Sequence, residues 1–108
     1  MTSTAPSDLG VPPGLVVYGR RRCGVCRRAE AIVRRELRRT APWRRPALTL
    51  VDVDEAGLAD RYGIRVPVVV LDGAELSELE LAPGVVRAAL RRRGRDGRRA
   101  RRIRRGRG

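Results

Sequence analysis

The apolar residues of this chain fall into short runs, and their spacing changes from one run to the next. Leu15-Val16-Val17-Tyr18 is an uninterrupted apolar run rich in β-formers. It reads as a central strand buried on both faces, because a strand with one wet face alternates instead. From about Gly24 to Arg39 the pattern becomes helical. Cys26, Ala29, Val33 and Leu37 share one stripe, with Ile32 beside them. Thr40-Ala41-Pro42 ends this helix, since a residue before proline avoids the helical region. Trp43 lies in the following loop, closed by Pro46, and is expected to be a partly buried anchor.

Ala47 to Val53 is β-branched at Thr49, Val51 and Val53 and reads as a second strand. A helix separates it from the first, so the two should be parallel. Asp54 is placed to cap a short helix, Glu55 to Tyr62, with Leu58, Ala59 and Tyr62 inward and Gly63 at its C-terminal end. Arg65 to Leu71 predicts a third strand, Asp72-Gly73 a two-residue turn, and Glu75 to Leu79 a polar edge strand. Pro83 suits the first position of a last helix, where Val85, Val86, Ala89 and Leu90 make an apolar face that ends after Arg93. The predicted order is β-α-β-α-β-β-α: an α/β domain with a four-stranded mixed sheet and helices on both faces. It spans residues 14–93, between an arm (1–13) and a tail (94–108) that are both expected to be disordered.

Composition sharpens this picture. With no Phe and few aromatics, the core must come from Val, Leu, Ile and Ala. All 25 basic residues are arginine, a bias that a GC-rich genome produces without any site being involved. The net charge of +13 is unevenly placed. Residues 91–108 hold eleven arginines against one acid, Asp96, a net of +10. Residues 1–90 carry fourteen arginines against eleven acids, a net of +3. The beginning of the chain has neither a basic start nor an apolar run, and no stretch has the length of a membrane span. The expectation is a cytoplasmic monomer with no membrane partner.

The candidate chemistry is Cys23-Gly24-Val25-Cys26, which follows the first strand and opens the first helix. A cysteine pair in that context reads as a redox dithiol. The free N–H groups and the macrodipole of a helix N-terminus favour a thiolate. Arg20, Arg21, Arg22, Arg27 and Arg28 add cations around it, with Arg22 and Arg27 directly beside the cysteines as tuning residues. Cys23, at the helix tip, is the expected nucleophile. Cys26, one turn in and on the apolar stripe, is the expected resolving thiol. Zinc is the rival from another class, but a structural site takes four Cys or His ligands. This chain has two cysteines and no histidine, so no metal is assigned. A purely structural disulfide would close too short a loop to constrain the unfolded chain much.

The element order, the C-x-x-C at the first helix, and the segments Val51-Asp-Val-Asp54, Tyr62-Gly-Ile-Arg-Val-Pro67 and Val68-Val-Val-Leu-Asp-Gly73 resemble the thioredoxin fold. The resemblance is nearest to the glutaredoxin-like branch of small bacterial proteins and covers about residues 15–91. It implies that the Val66–Pro67 bond is cis, faces the cysteines, and exposes the Val66 backbone for pairing with a bound thiol substrate. Two features depart from the family pattern. Arg22 and Gly24-Val25 stand where thioredoxins have Trp and Gly-Pro. Ser77-Glu-Leu-Glu-Leu-Ala-Pro83 stands where glutathione-using glutaredoxins have a Gly-Gly turn. Glu78 and Glu80 would repel the glutathione carboxylate there.

The resulting expectation is a thiol–disulfide oxidoreductase with no organic cofactor and no dedication to glutathione. It would act on protein or low-molecular-weight disulfides and draw electrons from a separate donor. The alternative is a redox-inactive thioredoxin-fold protein acting through its arginine-rich tail. Such a tail would bind nucleic acid without reading its sequence.

Overall fold

A computed structural model describes residues 13–95. Strand β1 (Leu15–Gly19) leads into helix α1 (Gly24–Arg38). A 3-10 turn (Pro42–Arg44) connects to β2 (Leu48–Asp52) and the short helix α2 (Ala59–Tyr62). Strands β3 (Val68–Leu71) and β4 (Ala74–Ser77) follow, and helix α3 occupies residues 85–95. The strands form one sheet in the order β2-β1-β3-β4. β2 runs parallel to β1, while β3 is antiparallel to β1 and β4 to β3. This is the mixed α/β sheet that the sequence predicts.

Alternation along β1 explains why it is apolar throughout. Leu15 and Val17 join a cluster with Ala29, Val33, Val69, Val86 and Leu90, beneath α1 and α3. Val16 and Tyr18 turn the other way, onto Val53, Tyr62, Val68 and Val70. Both faces of the central strands are therefore dry. The hairpin between β3 and β4 turns on Asp72 and Gly73, which both have positive φ (50° and 86°). A two-residue turn with that hand matches the natural twist of the strands.

Several expectations at element ends need correction. The helix expected over 55–62 is only Ala59–Tyr62, with Leu58 rather than Asp54 before it. The Asp52 carboxylate accepts from the N–H groups of Asp54 (2.9 Å) and Glu55 (3.2 Å), which folds the chain into a turn instead. Gly57 then takes φ +71°, outside the helical region. Gly63 does end α2, but at a helical φ of −53°. It is needed for space, because a Cβ there would press on the Ala59 carbonyl oxygen. Helix α3 begins after Pro83, at residue 85, since Gly84 turns at φ +92°. Trp43 is not an anchor, being 84% exposed. Its loop is pinned by Arg45, which donates to the carbonyls of Thr40 (2.8 Å) and Arg38 (3.1 Å) at the end of α1. Helix α3 continues through residues 94 and 95, two residues past the expected boundary. The expectations for residues 1–12 and 96–108 lie outside the described residues.

The face carrying Tyr18 and Tyr62 stacks their rings, with centroids 4.2 Å apart. The Tyr18 hydroxyl is buried without a hydrogen-bond partner among the described residues. Burial first, and Tyr62 second, push the pKa of this phenol up. A buried hydroxyl without a partner carries a desolvation cost, so its removal should not destabilise the fold. Tyr18→Phe is expected to leave stability unchanged or raise it by about 1 kcal/mol, read as the urea midpoint. A clear loss would show that the hydroxyl is satisfied in solution.

Candidate dithiol site

The sheet brings the chemistry to one end. β1 delivers the chain to the helix tip just beyond Gly19, and the register Tyr18↔Val68 sets the start of β3 at that same end. Pro67, next to Val68, is fully buried, and the Val66–Pro67 bond is cis. The loops after β2 and β4 return to this end as well. Neighbours in the tertiary structure at the site thus come from four separate segments.

Cys23 is the N-cap of α1, in extended conformation (φ −138°, ψ 102°). Its sulfur accepts from the Cys26 N–H at 3.1 Å, and its carbonyl accepts from Arg27 N–H at 3.1 Å. Cys23 and Cys26 are disulfide-bonded, with Cα atoms 5.2 Å apart. Cys23 is half-buried and Cys26 is buried, as their places on the helix require. A cleft of about 240 Å³ opens beside Cys26, walled by Gly19, Arg27, Glu30, Leu50 and Asp52. Gly19 has a role that the residue pattern does not reveal: a Cβ there would lie 3.2 Å from Cys26 Cβ and 3.3 Å from its sulfur. The bare backbone of Gly19 makes the seat for the inner sulfur.

The arginines near the tip do not act alike. Arg20 pairs with Asp54 at 3.2 Å, and Arg21 with Glu55 at 2.5 Å and Asp52 at 3.8 Å. Carboxylates from the loop after β2 therefore offset two of the five expected cations. Arg22, Arg27 and Arg28 have no ion-pair partner among the described residues. Arg27 bends back to the Arg21 carbonyl at 3.4 Å. The positive field at the dithiol thus comes from Arg22, Arg27 and Arg28 together with the helix N–H groups.

The opposite wall is anionic. Arg65, beside the cis bond, binds Glu75 through both guanidinium nitrogens (2.8 and 3.2 Å) and reaches Glu78 at 3.6 Å. The hydrogen bond from Arg65 holds the Glu75 carboxyl below its usual range. Glu80 has no ion-pair partner among the described residues. Leu79, between the two glutamates, has φ +67°, and its N–H donates to the Arg65 carbonyl at 2.9 Å. Three apolar side chains stand exposed at this end: Val25 in the first turn of α1, and Ile64 and Leu79 on loops. Among the described residues no group of three or more Cys, Asp and Glu side chains is gathered as a metal ion would need. No helix among them is long and apolar enough to cross a membrane.

A helix-capping cysteine bonded to its partner one turn on, at the end of a 2-1-3-4 sheet beside a cis-proline, defines the thioredoxin-like class of dithiol domains. The chain belongs to the glutaredoxin-like domain family (DUF836), which matches it over residues 14–91. Among solved structures it is similar to a structural-genomics target protein, XcR50, from X. campestris. The two are 31% identical, with a TM-score of 0.54, over 70% of this chain and 93% of that one. It also shares 21% identity with reduced glutaredoxin C1 from Populus tremula x tremuloides, at a TM-score of 0.46 over 66% of this chain and 62% of that one. No curated protein matches the sequence.

Proposed function

We propose that this protein is a thiol–disulfide oxidoreductase that reduces disulfides in proteins. The observation that carries the reading is the Cys23 sulfur, half-buried at a helix tip and accepting a helix N–H, in a disulfide with Cys26. In the reduced state the Cys23 thiolate attacks one sulfur of a substrate disulfide. A mixed disulfide forms and the other substrate sulfur leaves as a thiolate. Cys26 loses its proton to solvent and attacks Cys23, which releases the second substrate thiolate and regenerates the Cys23–Cys26 bond. Two electrons pass from the dithiol to the substrate, and an external dithiol reductase or small thiol restores them. Arg22 and Arg27 raise the thiolate population at Cys23, and the Val66 backbone beside Pro67 pairs with the incoming chain.

The surroundings favour a polypeptide over glutathione. Val25, Ile64 and Leu79 offer apolar contacts around the dithiol. Arg65, the cation beside the cis bond, is already occupied by Glu75 and Glu78. Glu80 adds a further negative charge where a small anionic thiol would place its carboxylate. Catalysis of insulin-disulfide reduction, driven by dithiothreitol, is the expected result. Glutathione-driven turnover of a glutathionylated peptide should be at least about tenfold slower, as one missing charge-assisted contact would give. Equal rates would overturn the partner assignment, and no turnover of either substrate would overturn the oxidoreductase reading.

A further inference from the structure

Helix α1 carries the dithiol at its N-terminus, and its far end lies about 22 Å away at 1.5 Å per residue. At that far end is a cavity of about 190 Å³ between α1, the 3-10 turn and α3. Arg39, Arg44, Arg87 and Arg91 line it, with Thr40 and Leu90. No carboxylate lines it, and none of these arginines is in an ion pair among the described residues. One acid, Glu36, lines an adjoining cavity with Arg39 and Arg87. Its oxygens are already held by the N–H groups of Gly84 (2.6 Å) and Arg87 (3.0 Å). Four arginines line this cavity and no carboxylate does, so the pocket is set for an anion.

Trp43, the only tryptophan, stands in the turn between the lining residues Ala41 and Arg44. It is 84% exposed on a turn fixed by the Arg44 N–H to Ala41 carbonyl bond (2.8 Å) and by the Arg45 anchors. A flat aromatic face beside a phosphate-sized cationic pocket matches a nucleotide with its base unstacked. Guanidinium groups bind phosphate bidentately and also stack on bases. The cations also continue past one phosphate's reach. Arg92 and Arg95 follow on α3, and residues 96–108 contain seven more arginines. A repeating anion is favoured over a single one, and a single strand over a duplex, whose bases are already stacked.

We propose that this pole binds single-stranded nucleic acid, with phosphates on Arg39, Arg44, Arg87 and Arg91 and a base on the Trp43 indole. The site is separate from the dithiol and does not depend on its chemistry. Because Trp43 is the only tryptophan, its own fluorescence reports stacking directly. The full chain is titrated with oligoadenylate of about 12 nucleotides, as RNA and as DNA, with an abasic strand of equal length, and with polyglutamate of equal charge.

Quenching of Trp43 by both oligoadenylates is expected, with the abasic strand and polyglutamate about tenfold weaker. The two sugars should bind within a few-fold, and a preference above about tenfold for either would overturn a readout confined to phosphate and base. By anisotropy of a labelled strand, Trp43→Ala should weaken oligoadenylate about tenfold and leave the abasic strand unchanged. The combined Arg39→Ala, Arg44→Ala and Arg87→Ala variant should make the slope of log affinity against log salt shallower by about 2. Arg44→Glu, at one exposed position, repeats the test with little risk to folding. An unquenched Trp43, an unchanged salt slope in the triple variant with wild-type affinity for Arg44→Glu, or polyglutamate bound as tightly as oligoadenylate would overturn the proposal. The second of these would move the binding to the remaining arginines, and the third would make the site one for acidic peptides.

Discussion

Cys23→Ser is expected to abolish disulfide reduction, whereas Cys26→Ser should still attack a substrate and stop at the mixed disulfide. The asymmetry follows from where the helix places each sulfur. Cys23 is the cap residue, half-buried, with the Cys26 N–H directed at its sulfur at 3.1 Å. Negative charge on that sulfur is stabilised by the N–H groups that α1 leaves without partners at its first turn. Cys26 is buried against Gly19 at the inner end of the pair, where a bulky substrate should reach it only through Cys23. A serine at position 23 offers an alcohol in place of the thiolate, and a hydroxyl does not exchange with disulfides. Non-reducing electrophoresis with an oxidised protein substrate checks both variants. Accumulated adduct with Cys26→Ser and none with Cys23→Ser is the expected pair of outcomes. The ultraviolet absorbance of the thiolate in Cys26→Ser should also titrate below the usual thiol range. Adduct on the Cys23→Ser variant would reverse the roles assigned here.

Interior strands and the dithiol helix were legible because their signals are local. A four-residue apolar run has few homes other than a strand covered on both sides, and Leu15 to Tyr18 has one. The hairpin was legible at Asp72-Gly73 because few residue pairs tolerate two positive φ values in succession. Two of the misreadings come from a side chain that bonds the backbone near it. Asp52 was counted as part of a strand, yet its carboxylate folds the next residues into a turn and forestalls the helix expected at Asp54. Trp43 reads as a partly buried loop anchor, but the polar Arg45 takes the anchoring role because two carbonyls at the end of α1 need donors. At the site the sequence supplied the cysteines and the proline. It could not tell which arginines keep their field, since Asp54 and Glu55 meet Arg20 and Arg21 only after β2 has been laid beside β1. Gly19 works as clearance for a sulfur that approaches it only once α1 has packed on β1.

Glu36→Ala is expected to destabilise the domain by about 3 kcal/mol. Periodicity ends the α1 stripe at Leu37, which packs half-buried against the core, but Glu36 beside it is buried more deeply, with Cys26, Ala29 and Val33. A buried carboxylate is costly unless it is fully hydrogen-bonded. Glu36 meets that condition by accepting from Gly84 N–H at 2.6 Å and Arg87 N–H at 3.0 Å. These donors lie at the start of α3, where a helix has N–H groups without internal partners and where negative charge is favoured. α1 thus caps α3 from outside, which fixes the position of the apolar face formed by Val86, Ala89 and Leu90. Alanine removes both acceptors and leaves the two donors partly buried. Glutamine keeps one oxygen and turns an N–H toward a donor, so Glu36→Gln should lose about half as much. Urea midpoints order the series as wild type, Glu36→Gln, Glu36→Ala. The reactivity of the dithiol in the folded variants should be unaffected, because the cysteines sit at the other end of α1. A Glu36→Ala midpoint equal to that of the wild type would show that α3 docks without this cap, by its apolar face alone.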